Sequence, residues 1–266
     1  MKTIFITGAS SGIGQALALE YAKRYQPEGV NIGIVARRSE HLHSLATQLM
    51  QRYQAKCYVY ACDVRDANAL ANAAQDFMQQ AGTPNIVIAN AGVSRGTLTE
   101  YLEDIPAFQA VMDINVMGIV HTFQPFIAAM KQARATRAQA QLVGVASVAG
   151  VRGLPGSGAY SASKAAAITY LESLRTEMQH HDIAVTTIAP GYIRTPMTDI
   201  NTYAMPFLME VEVFARKFVD AVEKQTRFTV IPWQMGVVAR LMRFIPPVLW
   251  DSLTKNAPHK SRISSQ

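Results

Sequence analysis

The chain has 266 residues and a formal net charge of +6. Hydrophobic residues make up 49% of it and charged residues only 17%, which excludes wholesale disorder and permits one large domain, 1–266, with a sizeable core. Two cysteines cannot staple a chain of this length, and neither has metal-ligand spacing, so no metal site is expected and a reduced, cytoplasmic setting is.

Cys57 and Cys62 fall in one apparent strand segment at odd spacing, which predicts opposite faces. The opening apolar run is too short for a signal peptide and is broken by Gly8-Ala9-Ser10-Ser11-Gly12. No run of about 18 apolar residues predicts a spanning helix. The positive charge admits four causes: nucleic acid, an anionic membrane, an anionic cofactor, or an ordinary basic surface. No Lys/Arg block interleaved with aromatics occurs, so nucleic acid drops out.

Short apolar runs alternate with amphipathic stretches. Strands are predicted at Thr3–Thr7, Asn31–Ala36, Cys57–Ala61, Ile86–Ala89, Gln141–Ala146 and Ile183–Ile188. Helices are predicted at Ile13–Tyr25, Glu40–Tyr53, Ala67–Gln80, Val111–Met130 and Ala159–Gln179. Apolar strands joined by helices mean a parallel sheet covered on both faces, and right-handed crossovers make it doubly wound. Beyond Pro190-Gly191 the pattern weakens to a helix at Val211–Lys224, a strand at Phe228–Ile231, the apolar stretch Trp233–Trp250 and a polar tail from Lys255. No internal repeat or linker divides the chain.

The first strand-to-helix turn is Thr7-Gly8-Ala9-Ser10-Ser11-Gly12-Ile13-Gly14. Glycines there allow a tight turn and close approach of a pyrophosphate, which the helix N-terminus then attracts. The spacing is Gly-x-x-x-Gly-x-Gly. At the end of the second strand, a carboxylate would mark NAD, because it binds the ribose 2′-hydroxyl. This chain carries Ala36-Arg37-Arg38 instead. Nothing there repels a 2′-phosphate, and Arg37, with Arg38 beside it, offers a guanidinium fork, so NADP (NADPH) is the expected cofactor. Asp63-Val64 follows the third strand, where a side chain meets adenine; Asp63 reads equally well as a helix cap.

Tyr160 and Lys164 are four apart at a helix start and share a face. Ser147 follows the fifth strand, at the sheet edge where ligands bind. Asn115 falls inside the long preceding helix. Each residue alone has an ordinary structural role; the combination carries the weight.

With these residues in place, the sequence resembles the short-chain dehydrogenase/reductase family. The match comprises Thr7-Gly8-x-x-x-Gly12-x-Gly14, Asp63, Asn90-Ala91-Gly92, Asn115, Ser147, Tyr160-x-x-x-Lys164 and Pro190-Gly191, over about residues 3 to 196. One departure is Ala89 in front of Asn90, where the family more often has a second Asn. The resemblance implies a three-layer α/β/α, Rossmann-type single domain: a core of 1–196, a substrate lid at about 192–225 and a tail at 233–266. It implies Tyr160 as general acid in reduction and base in oxidation, Lys164 and the oxidised nicotinamide as stabilisers of the phenolate, Ser147 as donor to the substrate oxygen, and Asn115 as holder of a proton-passing water. Lowering a tyrosine pKa by about three units needs about 4 kcal/mol of differential interaction. Lys164 also binds the nicotinamide ribose, Asn90 braces the cofactor region, and Ile193 and Thr195 position the nicotinamide amide. The two long helices form the usual homodimer contact in that family.

In the resembling family the segments after Gly92, Ser147 and Gly191 surround the substrate. Here they carry Val93, Leu98, Leu154, Tyr192, Met205 and Phe207, which suggests a lipophilic carbonyl or alcohol. Arg95 and Arg152 read either as partners for an anionic substrate group or, as is more usual, as solvent-facing residues. In the tail, Val237, Leu241, Phe244 and Val248 suit one helical face, with Arg240 and Arg243 on another and Pro246-Pro247 as a stop. Three readings follow: peripheral membrane contact through 233–250, a dimer contact, or a cap on the entrance. His180-His181 reads as a helix end, and Lys131, Arg134 and Arg137 as a solvated face. The leading function is an NADP-dependent oxidoreductase on a carbonyl/alcohol pair. The alternative is a non-catalytic NADP(H)-binding regulatory or membrane-docked protein of the same fold.

Overall fold

A computed structural model describes residues 1–133, 140–201, 203–255 and 262. Seven parallel strands form one sheet in the order β3-β2-β1-β4-β5-β6-β7. They are β1 (Lys2–Thr7), β2 (Val30–Ala36), β3 (Lys56–Ala61), β4 (Ile86–Ala89), β5 (Ala140–Val145), β6 (Ile183–Pro190) and β7 (Phe228–Ile231). The chain winds outward from β1 to β3, returns to place β4 beside β1, and winds outward the other way. That reversal opens a crevice at the carboxyl ends of β1 and β4.

Alternation along the strands divides the core between two faces. Ile4, Ile6, Ile32, Ile34, Ile86 and Ile88 pack under α1 (Gly12–Arg24), α2 (Ser39–Tyr53) and, through Phe214 and Phe218, the later helix α8 (Val211–Glu223). Phe5, Val35 and Val87 face the other way, against α3 (Ala67–Ala81), α5 (Gly118–Gln132) and α6 (Gly158–Gln179). The result is the three-layer, doubly wound architecture that the alternation predicts. The sheet extends to Pro190 in β6, two residues past the predicted strand end.

Two local expectations change. The long helix over Val111–Met130 is broken: α4 (Ile105–Met112) gives way to a π-helical turn at Asp113–Met117 before α5 begins. Asn115 sits in that turn rather than in regular helix. Its amide grips the backbone of Val93 through both atoms, Oδ1 accepting from Val93 N at 2.8 Å and Nδ2 donating to Val93 O at 2.9 Å. A one-residue widening leaves the apolar periodicity nearly intact, so the pattern could not reveal it. Cys57 packs against the first of these two core faces and Cys62, just past the end of β3, against the second, so the two cysteines lie on opposite faces of the sheet as expected. The tail helix also breaks, into α9 (Trp233–Phe244) and α10 (Pro247–Thr254), where Pro246 and Pro247 cannot continue the ladder. Between α6 and α8 a short α7 (Pro196–Asp199) follows β6. His180 caps α6 as expected. Arg134 and Arg137 lie outside the described residues, as does most of the tail beyond Lys255.

Candidate active site

At the crevice, Gly8 and Gly12 adopt positive φ (+71° and +56°), which side-chain-bearing residues rarely adopt. Gly14 serves close packing instead: a Cβ there would strike the carbonyl oxygen of Gly8 and the amide of Asn90. Asn90, just past β4, donates Nδ2 to the carbonyls of Thr7 (3.0 Å) and Gly8 (3.2 Å), so it ties the β4 end to the glycine turn. Ser11 caps α1 without a side-chain hydrogen bond, and the first turn holds no acidic residue. The leading N–H groups therefore remain available to an anion.

The two arginines after β2 diverge. Arg38 donates to Ser10 Oγ at 3.0 Å and Ser11 Oγ at 2.9 Å, so its guanidinium lies over the glycine turn. Arg37 approaches Asp63 at 4.0 Å. Arg65 holds Asp63 more closely, at 2.8 Å, and keeps that carboxyl below the ordinary aspartate range. The helix-cap reading of Asp63 falls away, because Asp66 caps α3 by accepting from Ala69 N. Val64 is buried, its methyl against Gly118 and its carbonyl bonded to the His121 ring.

Farther along the crevice, Ser147 follows β5 and accepts from Ala149 N at 3.2 Å. The Ser147 hydroxyl, beside the Tyr160 phenol, pulls that pKa down, but burial outweighs it and raises Tyr160 above the ordinary tyrosine value. Lys164, one helical turn on, is 4% exposed. Its ammonium donates to the carbonyl of Val145 at 2.9 Å and lies 5.9 Å from the centre of the Tyr160 ring. Burial brings its pKa down to about 8. Asn115 donates to Ser163 Oγ at 3.0 Å, and a Cβ on Gly92 would sit 3.3 Å from Asn115 Oδ1 and 3.5 Å from Lys164 Nζ. The Asn115 amide and the lysine ammonium thus flank one small space.

One cleft of about 370 Å³ joins these parts. Its walls include Gly8, Ser10, Ser11, Gly12, Ile13, Arg37, Arg38, Asp63, Val64, Asn90, Ala91, Gly92, Ser147, Tyr160, Lys164, Pro190, Gly191, Ile193 and Thr195. Gly14 and Asn115 stand behind the wall. Leu154 instead lines a separate depression with Trp250, Tyr192 meets the ring of Tyr203 edge-on, and Phe207 is half exposed. Sequence reasoning missed Ala36, Cys62, Ile114, Met197 and Thr198 in the cleft, and Ser163 behind it. Thr198 was detectable: Thr195-Pro-Met-Thr198 has capping-box spacing, and the two side chains form that box at the start of α7. Arg152, expected in solvent, turns inward to the tail and donates to the carbonyls of Met242 (3.0 Å) and Ile245 (2.8 Å).

The cleft fits a dinucleotide. Side chains are excluded where a pyrophosphate would approach, an uncapped helix start faces it, and a guanidinium stands at the end of β2. A family model described as short chain dehydrogenase matches residues 2–204. The chain belongs to the short-chain dehydrogenase family. An uncharacterized oxidoreductase of Myxococcus xanthus is 34% identical over 254 residues, covering 96% of each chain. Dehydrogenase/reductase SDR family member 7B of Mus musculus is 29% identical, over 98% of this chain and 82% of its own. Among solved structures, a short-chain dehydrogenase from Sphingobium yanoikuyae in complex with NADPH superposes with a TM-score of 0.76 at 23% identity, covering 93% of this chain and 97% of that one. One from Mycobacterium paratuberculosis bound to NAD gives 0.72 at 25% identity, covering 86% and 95%. The protein is accordingly a short-chain dehydrogenase of Rossmann fold.

Proposed function

We propose that the protein transfers hydride between NADPH and a lipophilic carbonyl, or in reverse from a secondary alcohol to NADP. The observation that carries this reading is the convergence of Ser147, Tyr160 and Lys164 on the cleft that Arg38 closes at its far end. NADPH, when bound, supplies the hydride. The chain's residues handle the proton and the developing charge.

A tyrosine phenol carries its proton at neutral pH, and burial holds Tyr160 further to that side, which suits it to donate a proton to the substrate oxygen. Ser147 lies beside that phenol and donates to the same oxygen as charge gathers there. Lys164 puts a positive charge beside the phenolate that remains. Asn115 is held rigidly by Val93 and Ser163, so its side chain has a defined position for holding a water next to Lys164. Arg38, with Ser10 and Ser11, forms a donor set for a 2′-phosphate, and Arg37 adds a second guanidinium at the rim. Asp63 contributes to the adenine side, with Arg65 fixing its orientation. Val93, Ile114, Ile193 and Met197 make the substrate end apolar.

Oxidation of NADPH and of NADH, followed side by side against a panel of aliphatic and aromatic ketones and aldehydes, tests the reading. Turnover with NADPH on apolar carbonyls is expected. NADH preferred over NADPH would overturn the cofactor assignment, and no turnover with any carbonyl would overturn the enzymatic one.

A further inference from the structure

We propose that α9 and α10 form a platform that docks this protein onto the surface of an anionic lipid bilayer. The platform is built from both sides. Its inner side is bolted to the domain: Met235 and Ala239 are buried, and Met235 packs into the space left by Gly191 at the end of β6. Arg152 locks the far end by capping the last carbonyls of α9 and stacking 4.8 Å over the Trp250 ring.

With the inner side occupied, the outer side keeps the large apolar groups. Trp233 (70% exposed), Val237 (49%), Leu241 (63%) and Phe244 (78%) follow one another at helical spacing along a stripe of α9. Val248 (84%) and Leu253 (63%) continue the exposed surface on α10. Neither helix is long or apolar enough to cross a membrane. Helical geometry places Arg240 on the edge of the α9 stripe and Arg243 farther round, both exposed, and α9 carries no carboxylate. Across 233–255 the basic residues are Arg240, Arg243 and Lys255, against a single acid, Asp251.

Charge decides between the occupants of this face. An antiparallel twofold pairing of two α9 stripes would set each copy's arginine edge against that of the other, where they repel. An anionic headgroup layer accepts the arginines while Trp233, Leu241 and Phe244 enter the interfacial zone.

The full-length protein is sedimented with sucrose-loaded vesicles of phosphatidylcholine alone and of phosphatidylcholine with phosphatidylglycerol, at low and high salt. Pelleting with the anionic vesicles is expected, falling with salt and much weaker on neutral ones. Arg240→Glu with Arg243→Glu should lower partitioning by about tenfold or more. Leu241→Asp with Phe244→Asp should abolish it, while retained NADPH binding shows that the variant is folded. Failure to pellet, equal pelleting on neutral vesicles, or unchanged pelleting of the charge-reversed variant overturns the proposal. So does a lipid-free mass that falls on Leu241→Asp with Phe244→Asp, since that result assigns the face to a second copy. None of these readouts depends on turnover, so they stand apart from the test of the catalytic reading.

Discussion

Lys164 Nζ donates to the carbonyl oxygen of Val145 at 2.9 Å, so the ammonium that flanks Tyr160 is anchored to the end of β5. One neutral acceptor does not offset burial, and the lysine pKa falls to about 8. Tyr160 shifts the other way and stays protonated. Between them, the group that titrates first as pH rises is Lys164. The kcat/KM for NADPH in the reductive direction, which reports the cofactor-free enzyme, should be flat at lower pH and decline above about pH 8. Lys164→Arg, which cannot lose its charge in this range, should be slower overall but lack the decline. An identical alkaline limb in that variant would assign the titration elsewhere.

The same shift has a stability consequence. A lysine whose folded pKa lies below the ordinary 10.5 leaves the unfolded chain holding more protons between about pH 8 and that value, so this group's contribution to stability rises with pH across the window. Lys164→Met removes the buried charge. It should be more stable than the parent at neutral pH by up to about 3 kcal/mol, an advantage that shrinks by about pH 10 in urea unfolding.

Arg38 bridges Ser10 and Ser11, whereas Arg37 leans toward Asp63. Removal of Arg38 should therefore weaken NADPH more than removal of Arg37. A charged hydrogen bond contributes about 1.5–3 kcal/mol, so Arg38→Ala should raise the KM for NADPH by about tenfold to a hundredfold and leave that for NADH nearly unchanged. Equal losses for both cofactors would show that Arg38 only shapes the glycine turn.

Tyr160→Phe removes the phenolic proton and keeps the ring. Turnover should fall by about three orders of magnitude or more, with NADPH affinity by fluorescence titration nearly intact. Parental turnover in this variant would refute the acid assignment.

Gly14→Ala drives a methyl into the Gly8 carbonyl and the Asn90 amide, both backbone-anchored. It should lower the melting temperature and weaken NADPH binding by about tenfold or more, since the turn must shift. Gly158→Ala, at the open start of α6, meets nothing within 4 Å and should be neutral or slightly stabilising. Equal behaviour of the two variants would remove the packing argument.

Local chemistry was legible from residue order. The doubly wound sheet follows from strand–helix alternation, and many of the cleft residues follow from motifs at the carboxyl ends of strands or, for Tyr160 and Lys164, at the start of α6. These features depend on contacts between near neighbours, or on the common direction of parallel strands, and residue types at fixed spacing encode both. Three other features depend on groups far apart in the chain. The π-helical turn at Asn115 exists because Val93 offers it a backbone partner. Arg38 meets Ser10, 28 residues away, because β1 and β2 pair side by side in the sheet. Arg152 faces the tail because α9 ends with unpaired carbonyls beside it. Amphipathic spacing in the tail predicted an apolar face but not its direction. That direction was decided by tertiary packing, because Met235 and Ala239 took the inward side against Gly191 and β7 and left Trp233, Leu241 and Phe244 outside.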